Sequence, residues 1–195
     1  MQLPLPPLVR SILAGASVVG FSGSRAPAPA SLAAVQLLAR AVPAAALVMV
    51  GCASGVDQQA QQLMPRARVF RAASFGIGRA VIGLAPLSHR AQLAARSIAC
   101  VQACAGGVWC AFPASACPAS VRPAHSSSAC FNGSGSGTWS SLAFAIGSGC
   151  APVVFLPVGI VPPPSFGLVS AGAGWWVAGE LGWAKPAPIG QLSFF

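Results

Sequence analysis

The chain has 195 residues, of which 55% are apolar and only 7% are charged. This composition excludes a disordered chain, and the length fits one folded domain with a sizeable core. The charge is one-sided, because eleven basic residues, ten of them arginine, stand against Asp57 and Glu180 and give a net charge of +9. Arginine suits phosphate groups, so a nucleotide or a nucleic acid is the favoured partner, and solubility is the other explanation of the charge.

The first 16 residues are predicted to form a tail that leads into a buried strand. One arginine before an apolar stretch gives them a faint likeness to a secretory signal, but prolines at positions 4, 6 and 7 favour the tail. The uncharged stretch at residues 130–179 is interrupted repeatedly by glycine, proline and serine. A membrane span needs roughly 20 apolar residues without such breaks. We therefore expect no membrane association and a cytoplasmic protein.

Residues 17–160 repeat a unit of strand, small-residue turn and helix. Short apolar runs predict five strands, at residues 17–22, 46–51, 67–72, 107–113 and 151–157. Helix formers and apolar residues at helical spacing predict helices at residues 30–40, 55–64, 88–105 and 137–149, with Ser88 as an N-cap. Uniformly apolar strands that alternate with helices imply a parallel sheet buried on both faces. The predicted fold is α/β, a Rossmann-like, doubly wound and mostly parallel sheet in a single domain.

Residues 161–195 form a tail rich in proline, glycine and tryptophan, whose only strand-like runs are residues 166–171 and 175–178. Its three tryptophans are expected either to pack back on their own domain or to cover a neighbouring subunit, which would make the protein a homo-oligomer. They are Trp175, Trp176 and Trp183.

The seven cysteines show no spacing typical of a zinc site, and their odd number argues against a fully paired secreted framework. Cys117 and Cys130 bracket a long polar loop and are the one candidate pair. We expect neither a bound metal nor another cofactor.

Three predicted strand-to-helix junctions consist of small residues. The first is Gly23-Ser24-Arg25, the second runs from Gly51 to Asp57, and the third runs from Gly133 to Thr138. In a doubly wound sheet such junctions gather at the carboxyl ends of the strands, where free N–H groups at helix N-termini bind anions. Each glycine alone is explained as well by a turn that needs positive φ. Three such turns at equivalent ends predict one anion-binding pocket.

Together these turns resemble the pattern of the SLOG superfamily, which includes DprA/Smf and the LOG proteins. A GSR-like first turn, a G-x-A-x-G-V-D second turn and a late G-S-G-T turn occur in the family's order, and Arg96 falls at the family's Arg-Asn position. The resemblance covers residues 17–157 and implies a Rossmann-like domain that binds a nucleotide-derived ligand or, in DprA-like members, single-stranded DNA. The ligand-binding residues that it implies are Gly23, Ser24, Arg25, Gly51, Gly55, Val56, Asp57, Arg96, Gly135, Ser136, Gly137 and Thr138.

Candidates for catalysis are few. The LOG enzymes carry an acidic residue at the position of Ser141, and neither His89 nor His125 has a recognisable partner in the sequence. Cys52 is expected to pack rather than to act as a nucleophile. Asp57 is expected to cap the helix beside it or to bind a ribose hydroxyl, and the cap is favoured.

We therefore predict no catalytic residues and a protein that binds a nucleotide-derived or phosphate-bearing ligand without turning it over. A DprA-like binder of single-stranded nucleic acid and a LOG-like nucleotide hydrolase are the alternatives.

Overall fold

One sheet organises residues 5–75, 87–133 and 135–179, which are the residues that the computed structural model of the chain describes. Its strands are β1 (Val18–Gly23), β2 (Leu47–Gly51), β3 (Arg68–Phe70), β4 (Val108–Phe112), β5 (Ala151–Phe155), β6 (Leu168–Gly172) and β7 (Trp175–Ala178). They lie in the order β3-β2-β1-β4-β5-β7-β6. The first five strands are parallel, and β7 and β6 extend the sheet as an antiparallel hairpin beside β5.

Helices cover both faces of this sheet. They are α1 (Pro7–Ala14), α2 (Pro29–Ala41), α3 (Val56–Leu63), α4 (His89–Gln102), α5 (Ser127–Cys130) and α6 (Gly137–Gly147), and a 3₁₀ turn spans Pro164–Phe166. Successive residues of β4 alternate between two cores. Cys110 and Phe112 join a core with α1, α2 and α3, whereas Trp109 and Ala111 join a core with α4 and α6. The predicted fold, a Rossmann-like and mostly parallel α/β sheet in one domain, is confirmed.

The segment predicted as an N-terminal tail contains helix α1. Val9 and Leu13 of this helix are fully buried in the first core. Pro7 stands at the first helical position, where a proline removes no helical hydrogen bond and its fixed φ already suits the helix. Two of the prolines that favoured a tail, Pro6 and Pro7, therefore stand at the start of a helix instead.

The predicted C-terminal tail supplies β6 and β7, close to the two strand-like runs. Trp175 is buried and makes edge-on ring contacts with Phe112 and Phe155. This tryptophan therefore covers its own domain, which is the first of the two expectations for it. Trp183 lies outside the described residues.

Two further predictions concern the loop after β4 and the membrane. Cys117 and Cys130 are free thiols, and each donates to backbone carbonyls of the loop between them, which also contains α5. The segment that precedes α4, residues 74–87 of the sequence with several glycines, lies mostly outside the described residues. Among the helices of the described ranges, none has both the length and the apolar character that a membrane crossing requires.

Candidate functional site

A cavity of about 470 Å³ lies at the carboxyl ends of β1, β2 and β4. In the strand order, β1 is flanked by β2 on one side and β4 on the other, so the chain reverses its direction of winding there. Doubly wound sheets bind ligands at such a reversal, where the helices that follow the strands diverge. Its walls come from the end of β1, the second turn, helix α4, the segment after β4 and the third turn.

Most of the residues singled out from the sequence meet at this cavity. Three of them, Gly51, Gly55 and Val56, do not line it. The residues that line it are Gly23, Ser24, Arg25, Asp57, Arg96, Gly135, Ser136, Gly137 and Thr138. The structure thus brings the three turns together, and ligand binding by these residues stays a prediction.

Glycines of the first two turns allow the turns to pack on one another. A Cβ on Gly23 would overlap with the side chain of Val56, and a Cβ on Gly55 would overlap with the backbone carbonyls of Ser24 and Arg25. Gly55 also has a φ of +75°, and the N–H of Val56 donates to the carbonyl of Ser24 at 3.1 Å. These glycines therefore allow the two turns to contact each other, and Gly23 also lines the cavity.

A buried ion pair closes the floor of the cavity below the second turn. Nη1 of Arg96 donates to Oδ2 of Asp57 at 2.8 Å, and the N–H of Ala53 donates to the same oxygen at 3.2 Å. Asp57 is 3% exposed and Arg96 is 8% exposed. The Arg96 guanidinium lies against Gly51, where a Cβ would overlap with it. The lack of a side chain at Gly51 therefore makes room for the guanidinium of Arg96.

The ion pair with Arg96 bears on both roles expected for Asp57, the helix cap and the contact with a ribose hydroxyl. The N-cap of α3 is Gly55, and no side chain caps the helix, so the predicted cap is wrong. Asp57 is the second residue of the helix. Its carboxylate accepts from the N–H of Ala53, which precedes the helix. Because Oδ2 is already shared by Ala53 and Arg96, this oxygen is not available for a ribose hydroxyl.

Burial controls the ionisation of this carboxyl group. Desolvation raises the pKa of Asp57 above its ordinary value of 3.8, and the charge of Arg96, the Ala53 N–H and the charge of Arg25 offset only part of that effect. Nε of Arg96 is buried and has no partner within the described part of the chain. The floor of the cavity therefore contains a buried ion pair, whose desolvation costs free energy.

The third turn is open where the first two are packed. Ser136 caps α6, since its hydroxyl accepts from the N–H of Trp139 at 3.4 Å. Neither Gly137 nor Thr138 finds an acceptor for its N–H among the described residues. A Cβ on Gly135 or Gly137 would meet nothing within 4 Å. Two amide donors of the α6 N-terminus are therefore left for a partner in the cavity.

Serine hydroxyls add further donors. Oγ of Ser22 accepts from the indole N–H of Trp109, and Oγ of Ser24 accepts from the N–H of Ala26, each at 3.1 Å. A hydroxyl that accepts one hydrogen bond still has its own proton to donate. With Arg25 on the rim, the cavity offers many donors and only one carboxylate among the described residues that line it.

Sequence reasoning missed one wall of the cavity. Arg90, Leu93, Ala94 and Ser97 line it from α4, and their spacing of three, four and seven residues places them on one face of that helix. Residues 113–115 directly follow β4 and also line it. The rule that ligands collect at strand ends would have indicated residues 113–115, whereas the contact of α4 depends on tertiary packing.

The candidates for chemistry are occupied or lie elsewhere. Ser141 donates its hydroxyl to the carbonyl of Gly137 at 2.8 Å. His89 and His125 do not line the cavity. Sγ of Cys52 accepts from the N–H of Ala72 at 3.4 Å, which fits the expected packing role.

No protein-family model matches the chain, and neither the curated proteins nor the solved structures contain a match. The resemblance to the SLOG superfamily stays a prediction that depends on the three turns.

Proposed function

We propose that the cavity binds a nucleotide-derived or other phosphate-bearing ligand and does not turn it over. The observation that carries the proposal is the concentration of unspent donors around one open turn. They are two amides at the N-terminus of α6, the hydroxyls of Ser22 and Ser24, and the exposed guanidinium of Arg25. Such a set complements an acceptor-rich anion, since helix N-termini and arginine both favour phosphate oxygens.

The rest of the cavity suits an apolar or planar group. Phe131, Leu93 and Ala94 contribute apolar surface to the lining, and the ring of Phe131 makes an edge-on contact with Phe144. The volume of about 470 Å³ lies within the range of roughly 300–1,000 Å³ that is usual for small-molecule sites. A nucleoside monophosphate offers both a phosphate and a planar base, which is why it is our first probe.

Binding without turnover is supported by the state of the polar side chains. Hydrolysis usually needs a carboxylate or another acid or base within reach of the reacting atom. Asp57 is tied to Arg96, and Ser141 stands where the SLOG resemblance would require an acidic residue. The LOG-like hydrolase therefore remains the less favoured alternative.

Calorimetric titration with nucleoside monophosphates, the matching nucleosides and inorganic phosphate tests the proposal. We expect the monophosphates to bind about tenfold or more tightly than the nucleosides, because each charged hydrogen bond contributes about 1.5–3 kcal/mol. Arg25→Gln should weaken monophosphate binding about tenfold on the same ground, while Arg40→Gln, in the last turn of α2 and outside the cavity, should not. Equal affinity for nucleoside and monophosphate, or no binding, would contradict the proposal. Release of free base during the titration would favour the hydrolase.

A second candidate function, binding of single-stranded nucleic acid, is favoured by the charge of the surface. Nine of the ten arginines lie in the described ranges, and all of them except Arg96 are exposed. The one acidic residue of those ranges, Asp57, is buried, so the described surface carries no exposed carboxylate. Arg71 directly follows β3, so it lies at the same carboxyl edge of the sheet as the cavity, but it does not line the cavity.

Arg71 separates the two candidates. If a single strand follows this edge, its affinity should fall with salt at a slope of about −0.7 per phosphate contacted. Arg71→Gln should then lower that slope by about 0.7 and leave nucleotide binding unchanged. Fluorescence anisotropy with a short oligonucleotide at several salt concentrations measures the slope. The calorimetric titration described above measures nucleotide binding. Failure of the oligonucleotide to bind at low salt would remove this candidate.

A further inference from the structure

The described residues of the third turn have few contacts of their own. Gly133 and Gly135 have φ values of +90° and +96°, in the region that favours glycine. A Cβ on Gly135 would meet nothing within 4 Å, and one on Gly133 would approach only the guanidinium of Arg90, at 3.7 Å. The packing that fixes the first two turns is therefore absent here, although this turn presents the free amides of α6.

One long-range hydrogen bond compensates for that lack of packing. Nη2 of Arg90 donates to the carbonyl of Gly133 at 2.5 Å, across 43 residues of sequence. Arg90 belongs to the first turn of α4, and both residues line the cavity. The bond thus joins two walls of the cavity, the face of α4 and the third turn.

We propose that Arg90 is a positioning residue, which holds the third turn in the conformation that presents the amides of Gly137 and Thr138 to an anion. The bond to the Gly133 carbonyl is the contact of Arg90 on which this role rests, so the role acts through the turn. The effect on ligand affinity rests on the proposed function, whereas the effect on the turn does not. The effect of Arg90 on the turn can therefore be measured on the protein without ligand.

Amide hydrogen exchange of the full chain, free of ligand, is the main measurement. Arg90→Met keeps much of the apolar stem and removes the donor. We expect the amides of Trp139 and Ser140, which donate to Ser136 of the turn, to exchange about tenfold faster or more, since a hydrogen bond from a charged donor to the turn is lost. The amides of α2 and β1 should keep their rates. Arg40→Met removes the same charge from an exposed site on α2 and should leave all of these rates unchanged.

Affinity for a nucleoside monophosphate is the second measurement, and we expect it to fall several-fold in Arg90→Met. Unchanged exchange at Trp139 and Ser140 would overturn the proposal, whatever happens to the affinity. Faster exchange in a protein that binds no monophosphate would support the positioning role and reject the proposed function instead.

Arg90→Lys separates positioning from charge. Lysine keeps the positive charge but lacks the planar fork, so we expect exchange rates and affinity that both lie between those of the wild type and Arg90→Met. If Arg90→Lys exchanges as fast as Arg90→Met yet binds as tightly as the wild type, the charge alone matters to the ligand, and the proposal is wrong.

Discussion

Replacement of Arg96 by methionine should lower the free energy of unfolding by about 3–5 kcal/mol near neutral pH, which is the usual cost of removing one partner of a buried ion pair. The change leaves Asp57, which is 3% exposed, without its cation and with only the N–H of Ala53 as a donor. Methionine fills most of the space of the arginine stem, so the lost volume contributes little to the effect. Urea unfolding of the two proteins measures the difference.

The loss in Arg96→Met should depend on pH in a definite direction. Burial already raises the pKa of Asp57 in the folded protein above 3.8, and removal of Arg96 takes away the largest influence that lowers it. A group whose pKa is raised on folding stabilises the protein below its unfolded pKa, and this contribution is lost as the pH rises through the folded pKa. The variant should therefore be most impaired near neutral pH and should approach the wild type in acid.

The double variant Asp57→Asn, Arg96→Met provides the control. It has no carboxylate at position 57 to ionise, so its stability relative to the wild type should vary less with pH than that of Arg96→Met. Near neutral pH it should be more stable than Arg96→Met, because an amide costs less to bury than an unpaired charge. A deficit of Arg96→Met that is equal in acid and at neutral pH would contradict the role given to Asp57.

Gly55→Ala should destabilise the protein by about 3 kcal/mol or more, from backbone strain and overpacking together. Gly55 has a φ of +75°, and its added Cβ would overlap with the carbonyls of Ser24 and Arg25. Both obstacles are backbone atoms, which cannot rotate away as a side chain can. The first and second turns would have to separate, and the Val56 to Ser24 hydrogen bond would break with them.

Gly135→Ala is the matched comparison for Gly55→Ala. Its φ of +96° imposes a conformational cost, but the new Cβ would meet nothing within 4 Å. We expect a loss of only about 1–2 kcal/mol from the left-handed conformation, together with weaker anion binding where the methyl group enters the cavity. Thermal unfolding of both variants gives the comparison. Equal losses of stability would show that packing between the turns is not what distinguishes the two glycines.

Much of this fold can be predicted from the sequence because its strands are buried on both faces. Runs such as residues 46–51 and 107–113 are uniformly apolar, and the structure has β2 and β4 there. Ser88 is an N-cap as predicted, since its hydroxyl accepts from the N–H of Ala91. Helix α1 escaped prediction because a proline reads equally as the start of a helix and as part of a tail.

The candidate site is harder to predict from the sequence. A glycine indicates that a side chain would not fit, but it does not indicate which neighbouring group occupies the space. Gly51, Gly55 and Gly135 read alike in the sequence, yet the first seats Arg96, the second admits a neighbouring turn and the third faces the open cavity. The Asp57 to Arg96 pair and the Arg90 to Gly133 bond join residues that are 39 and 43 positions apart. No local pattern contains such pairs, so only the fold reveals them.

The strand order also bears on how the protein is completed during synthesis. The half of the sheet made of β1, β2 and β3 is available early in the chain, but α4 and the third turn, which form the opposite walls of the cavity, arrive after it. A ligand of the proposed kind would bind only the finished cavity, and it would stabilise that state over partly assembled chains by a free energy that rises with the logarithm of its concentration. Ligand supply would then influence how much of the newly made protein survives.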